Sequence, residues 1–146
     1  MSQKLSSRYT HGHEQSTLAS HSVRTAANSA AYLIPHLKPG MQILDIGCGP
    51  GTITLDLAGL VAPGKVTGIE NVEAPLNVAR AEAAARADTS TVFRLGDALA
   101  LPFDNESFDV VHAHQVLHHL TEPVIALREL KRVRKPGAWI SARDAD

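Results

Sequence analysis

The stretch Ile43-Leu44-Asp45-Ile46-Gly47-Cys48-Gly49-Pro50-Gly51-Thr52 constrains the fold more than any other part of the chain. Residues 41–46 form a short, mostly apolar run, long enough for a buried strand, and three glycines with a proline then stop it. Gly47, Gly49 and Gly51 lack Cβ atoms, so the backbone there can take positive φ and come within contact distance of a ligand. A helix is expected over residues 52–60, and its first turn presents unpaired N–H groups. Strand, tight turn and helix start make a nucleotide-type cradle.

Asp45 narrows the choice of nucleotide. A dinucleotide sets an anionic pyrophosphate on the helix N-terminus, where a carboxylate at the strand end would repel it; a cationic or zwitterionic ligand would be attracted. The spacing agrees. The turn reads G-x-G-x-G, whereas the dinucleotide fingerprint is G-x-G-x-x-G, and the Walker pattern G-x-x-x-x-G-K-S/T is absent here. Both observations oppose a nicotinamide-dependent oxidoreductase. LDIGCGPGTIT resembles the first motif of class I S-adenosylmethionine-dependent methyltransferases, whose ligand carries a sulfonium, an ammonium and a carboxylate but no phosphate.

The remaining segments alternate strand and helix. Val23, Ala26, Ala27, Ala30, Ala31 and Ile34 fall at helical spacing, so one helix is expected within residues 17–39, ended by Pro35 and Pro39-Gly40. Strand two reads over 65–70 and closes on Glu70, roughly 20 residues past the turn, where nucleotide-binding α/β folds accept hydrogen bonds from ribose hydroxyls. An alanine-rich helix over 73–87 with Pro75 in its first turn follows. Residues 91–95 read as strand three, ended by Gly96-Asp97, where Asp97 is either a ligand contact or a cap. Residues 105–113 carry a turn into strand four. The next helix starts at Thr121-Glu122-Pro123 with Thr121 as its cap. It buries Val124, Leu127, Leu130 and Val133, and Pro136-Gly137 breaks it before strand five over 138–142.

Such alternation predicts an α/β fold, a doubly wound parallel sheet covered on both faces. The family resemblance extends through GDALALPF, FDVV and QVLHHL, which are similar to quinone-biosynthetic and secondary-metabolite members. It implies a Rossmann-like order 3-2-1-4-5. It further implies that Asp45, Gly47, Gly49 and Gly51 bind the cofactor with Glu70 and Asn71 at the ribose, and that Asp97 and Ala98 meet the adenine. His114 and Gln115 would face the methionine end. Tyr9, His11 and His13, in a flexible arm over residues 1–16, would close over donor and acceptor; the bland reading of that arm is a surface segment. Relative to the complete family fold, the chain is expected to lack the usual strands six and seven. It is therefore read as a single domain over 1–146 with an incomplete core over 40–146.

Composition bounds the partners. With 44% hydrophobic and 20% charged residues, the 146-residue chain can bury a core, and a formal net charge of −1 gives no electrostatic ground for nucleic acid. No apolar run approaches a membrane span, and one cysteine forbids an internal disulfide, so a cytoplasmic setting is the expectation. The reaction implied is displacement at the sulfonium methyl by a small-molecule acceptor of quinone, phenolic or secondary-metabolite type. His114, His118 and His119 are the candidate bases, each with the competing reading of a histidine that only packs and orients a loop. His112 with these three raises a metal option, but no Cys or carboxylate pattern completes a site and no metal is expected. Cys48 as a nucleophile is disfavoured because a small side chain in a glycine turn explains it. The alternative to an enzyme is an inactive or partner-dependent S-adenosylmethionine-binding module. An exposed strand-five edge would invite a second copy or another chain.

Overall fold

Residues 42–46, three apolar side chains and one acid following Gln42, form the central strand, and everything else is layered on it. A computed structural model describes residues 24–144. The strands are β1 (Gln42–Ile46), β2 (Lys65–Glu70), β3 (Val92–Leu95), β4 (Phe108–His114) and β5 (Arg134–Arg143). They pair in parallel in the order β3-β2-β1-β4-β5, as the alternating pattern and the resemblance imply. The helices are α1 (Ala26–Ser29), α2 (Thr52–Val61), α3 (Glu73–Ala85) and α4 (Pro123–Val133).

Side chains of β1 alternate between two cores, as the period of a strand requires. Leu44, Val111 and Ala113 pack with Ala126, Leu130 and Val133 of α4. Ile43, Val66 and Val110 pack on the opposite face with Leu33 and with Leu57, Ala58 and Val61 of α2. Asp45 and His112 lie directly opposite one another in register, on the Ile43 and Val110 face. Apolar strands buried on both sides explain why the acid and the imidazole there must find each other.

Four expectations require correction. The helix expected within 17–39 is, among the described residues, only the four-residue α1 and a separate 3-10 turn at Ile34–His36. A capping box between Thr25 and Asn28 starts α1, but the short polar side chains of Asn28 and Ser29 bond to one another and to the cap instead of favouring further turns. Ala27 and Ala31 are exposed. In α4 the buried stripe is Ala126, Leu130 and Val133, while Val124 is 59% and Leu127 41% exposed. The helix is rotated so that its smallest apolar residue meets the sheet. Its N-cap is Glu122, without a side-chain cap bond, and not Thr121. Finally, β5 begins at Arg134, directly after α4. Pro136 and Gly137 are accommodated within the strand as an irregularity, with Phe108 opposite Arg134 but Val110 opposite Trp139.

Candidate active site

The turn after β1 is built as its glycines require. Gly47, Gly49 and Gly51 have φ of 67°, 56° and 83°. The amides of Gly47 and Cys48 both donate to the Ile69 carbonyl at 2.9 and 3.0 Å, which ties the turn to the end of β2. A Cβ on Gly47 would meet Val116 Cγ2 at 2.5 Å, so the residue also makes room for the segment after β4. Gly51 is the N-cap of α2, and a Cβ there would lie 2.8 Å from Ala79 Cβ and 3.0 Å from Phe93 Cζ. Gly51→Ala is expected to cost about 2 kcal/mol, from left-handed backbone strain plus overpacking against α3. A urea midpoint equal to the parent's would contradict that account.

The strand ends and this turn surround a cavity of about 630 Å³, in the size range of small-ligand sites. Asp45, Gly47, Gly49 and Glu70 stand on its wall, with Asn71, Asp97 and Ala98 on the β2 and β3 side. His114, Gln115, His118 and His119 stand on the β4 side. The structure thus brings the sequence-selected residues of 45–119 together, with one exception. Gly51 is buried behind the wall, where it serves the helix start. Tyr9, His11 and His13 lie outside the described residues.

Local bonding assigns each acid a distinct state. Asp45 is 3% exposed, with one oxygen accepting the Thr54 hydroxyl at 2.6 Å and the other 2.9 Å from His112 Nδ1. His112 is fully buried, and its Nε2 is 3.3 Å from the Tyr32 hydroxyl. Glu70 Oε1 accepts the Gly49 amide at 2.9 Å. Burial lifts the Glu70 carboxyl above its ordinary value, against the amide bonds from Gly49 and Asn71 that lower it; the charge of Asp45 adds to the rise. Asp97 is exposed and accepts the Leu99 amide at 2.9 Å, the local turn use of an aspartate. Cys48 is buried, and desolvation together with Asp45 and Glu70 drives its thiol far up, which rules it out as a thiolate nucleophile.

The histidines divide as well. His114 is depressed by burial first, then by the charges of His112, Arg24 and Arg143, and its Nδ1 is buried with no hydrogen-bond partner. His118 Nδ1 sits 2.9 Å from Asp144 Oδ1. Among the described residues no group of three His, Cys, Asp or Glu side chains converges as a metal site. Sequence reasoning missed Thr54, Tyr32 and Asp144. A hydroxyl nine residues after Asp45, in the first turn of α2, was a usable signal for Thr54. Nothing local points from Tyr32 to His112 or from His118 to Asp144, which only the fold brings together.

A family model described as a methyltransferase domain matches residues 37–146. An uncharacterized methyltransferase of Schizosaccharomyces pombe is 40% identical over 145 residues, covering 94% of this chain and 52% of that protein. A demethylmenaquinone methyltransferase of Lactococcus lactis is 41% identical over 102 residues, covering 69% of this chain and 40% of its own. The chain thus spans about half the length, or less, of these curated relatives. Among solved structures, a SAM-dependent methyltransferase from Aquifex aeolicus superposes with a TM-score of 0.71 at 29% identity, over 77% of this chain and 61% of that one. Among the described residues no helix is long and apolar enough to cross a membrane. Since the family match takes in every strand of the sheet and all of the cavity wall except Arg24, the chain belongs to the methyltransferase domain family.

Proposed function

We propose that this chain binds S-adenosylmethionine at the C-terminal ends of β1, β2 and β4 and transfers its methyl group to a small-molecule acceptor. The observation that carries the reading is the cavity wall itself. Three carboxylates, Asp45, Glu70 and Asp97, lie on it beside a glycine turn, with Arg24 as the single Arg or Lys among its described residues. A sulfonium, an ammonium and ribose hydroxyls suit that wall; a pyrophosphate does not.

Each residue has a task in this reading. Glu70, locked by the Gly49 amide, offers its remaining acceptor capacity to the ribose, with Asn71 beside it. Asp97 and Ala98 border the adenine. The backbone of Gly47 and Gly49 approaches the amino-acid end, with His114 and Gln115 opposite. Asp45 acts by charge and by holding the floor of the cavity, since Thr54 and His112 already occupy its oxygens. The bound donor supplies a methyl group already activated by positive charge, so the protein's contribution is positioning, exclusion of water and acceptance of a proton where the acceptor must lose one. The acceptor is a quinone, a phenol or a comparable secondary metabolite. That class rests on the similarity to the Lactococcus lactis protein and on the GDALALPF and VLHHL segments.

Calorimetric titration tests the reading. S-adenosylhomocysteine is expected to bind saturably with a dissociation constant in the micromolar range, on the order of −8 kcal/mol. NAD is expected not to bind. Binding of NAD in preference to S-adenosylhomocysteine would overturn the assignment.

A further inference from the structure

Between β3 and β4 the chain runs through residues 96–107 without a helix or strand of its own, and its first residues, Gly96, Asp97 and Ala98, stand on the cavity wall. A connection of that length has many backbone paths open to it, and fixing each of its residues costs conformational entropy. Two sets of contacts fix this one. Ala98 and Leu101 are buried with Ala126 and Leu130 of α4, and the Phe103 ring meets Phe108 edge-on with centroids 5.1 Å apart. Apolar contacts are non-directional, so they set the depth of the loop and not the path of its backbone. The directional contacts come from Glu129 and Arg132, three residues apart in the last turns of α4.

The guanidinium of Arg132 is fully used. Its Nε donates to Glu129 Oε2 at 2.6 Å and its Nη2 to Glu129 Oε1 at 3.2 Å, which sets the two side chains fork to fork. Nη2 also donates to the Leu101 carbonyl at 2.9 Å, and Nη1 to the Phe103 carbonyl at 2.8 Å and Asn105 Oδ1 at 2.9 Å. Glu129 Oε1 accepts the Leu101 amide at 2.9 Å, so one ion pair holds both polar backbone groups of Leu101. The Arg132 bond holds the Glu129 carboxyl below the usual carboxylate range, opposed by partial desolvation and assisted by the Leu101 amide. Nearer the cavity, Asp97 closes a turn of its own, accepting the Ala100 amide on its carbonyl at 3.0 Å and the Leu99 amide on its carboxylate at 2.9 Å. The Gly96 amide donates to the Glu70 carbonyl at 2.8 Å. The turn that reaches the cavity is therefore pinned at its start by β2 and at its end by α4.

We propose that Glu129 and Arg132 are positioning residues for the donor: by holding Leu101 and Phe103 they preset the turn of Asp97 and Ala98 for the adenine of S-adenosylmethionine. The inference rests on the methyltransferase reading above. Neither side chain stands on the cavity wall, so both act only through the turn. An ion pair on a helix surface contributes little by itself, and what sets this one apart is its hold on a distant backbone. With the clamp closed, the turn follows its binding path before the ligand arrives. With the clamp open, the ligand has to order the turn itself, and its apparent affinity falls by the fraction of molecules that follow that path unaided.

The experiment is a mutant cycle read by calorimetric titration of the whole chain with S-adenosylhomocysteine, joined to amide hydrogen exchange of the unliganded proteins. Arg132→Gln is expected to weaken binding about tenfold, as it would if roughly one molecule in ten kept the turn in place. Glu129→Gln leaves an acceptor for the Leu101 amide and is expected to lose less; it carries the same cycle if Arg132→Gln does not fold. In an Asp97→Ala background, which already lacks the carboxylate of the turn, Arg132→Gln should cost almost nothing more. The Leu99 and Ala100 amides should exchange about tenfold faster in Arg132→Gln, while those of Leu44 in β1 and Val111 in β4 exchange as in the parent. Equal losses with and without Asp97, faster exchange throughout the sheet, or unchanged exchange at Leu99 and Ala100 would each overturn the proposal, since the pair would then serve the fold and not the turn. Failure of the parent chain to bind S-adenosylhomocysteine would instead overturn the function on which it rests.

Discussion

Glu70→Gln is expected to weaken S-adenosylhomocysteine binding by ten- to a hundredfold while leaving the unliganded fold at least as stable at neutral pH. Charge-assisted hydrogen bonds are worth roughly 1.5–3 kcal/mol, and a neutral amide in place of the carboxylate forfeits that increment toward the ribose hydroxyls, a factor of ten for each 1.4 kcal/mol. The amide oxygen can still accept from Gly49, which keeps the glycine turn in place. Stability behaves oppositely because the Glu70 carboxyl is raised by burial. A carboxyl whose folded-state value lies above its unfolded one favours the fold below the unfolded value, and that contribution is lost as pH rises through the folded one. At neutral pH the native protein therefore carries a penalty that glutamine removes. The difference in melting temperature between variant and parent should grow in the variant's favour from mildly acidic to mildly alkaline pH. A variant that binds as tightly as the parent would remove Glu70 from the cofactor site; one that melts lower with rising pH would reverse the assigned direction of the shift.

The sequence carried the sheet and the position of the crevice because both depend on local signals: short apolar runs, glycine turns and acids placed just after strands. Asp45, Glu70 and Asp97 reach one cavity for the reason a strand end always does in this topology, at the reversal of strand order. The failures have the opposite character. Val124 and Leu127 fit the helical stripe as well as Ala126 does, and only docking on β4 and β5 decides which of them is buried. Alanine spacing around residue 30 promised a long helix, whereas among the described residues the Asn28–Ser29 pair and Pro35 left one four-residue helix and a 3-10 turn. Within the site, Asp45 reads from the sequence as a ligand-facing acid. Its partner His112 emerges only once β4 is set beside β1 in register, whereas Thr54 is signalled by its place at the start of α2. Asp144, 26 residues beyond His118, is likewise a product of β5 running parallel to β4.

That buried partnership at Asp45 predicts the largest stability effect in the molecule. Replacing His112 with leucine is expected to destabilise the chain by about 3 kcal/mol, because a carboxylate almost sealed from water loses one of its two bonds and gains only apolar surroundings. The distances of 2.9 Å to His112 and 2.6 Å from Thr54 leave little slack for another donor to move in. Leucine restores much of the buried volume, so a cavity is not the main cost. The Asp45→Asn change made in the His112→Leu background removes the stranded charge, so the double variant should be more stable than His112→Leu alone. Tyr32→Phe removes a longer contact, 3.3 Å from a half-exposed hydroxyl ring, and should cost no more than about 1 kcal/mol. Urea midpoints for these proteins, together with Asp45→Asn alone to close the cycle, decide the matter. If the single and double variants fall by simple addition, Asp45 and His112 do not act as a unit, and the acid at the end of β1 must be held by Thr54 alone.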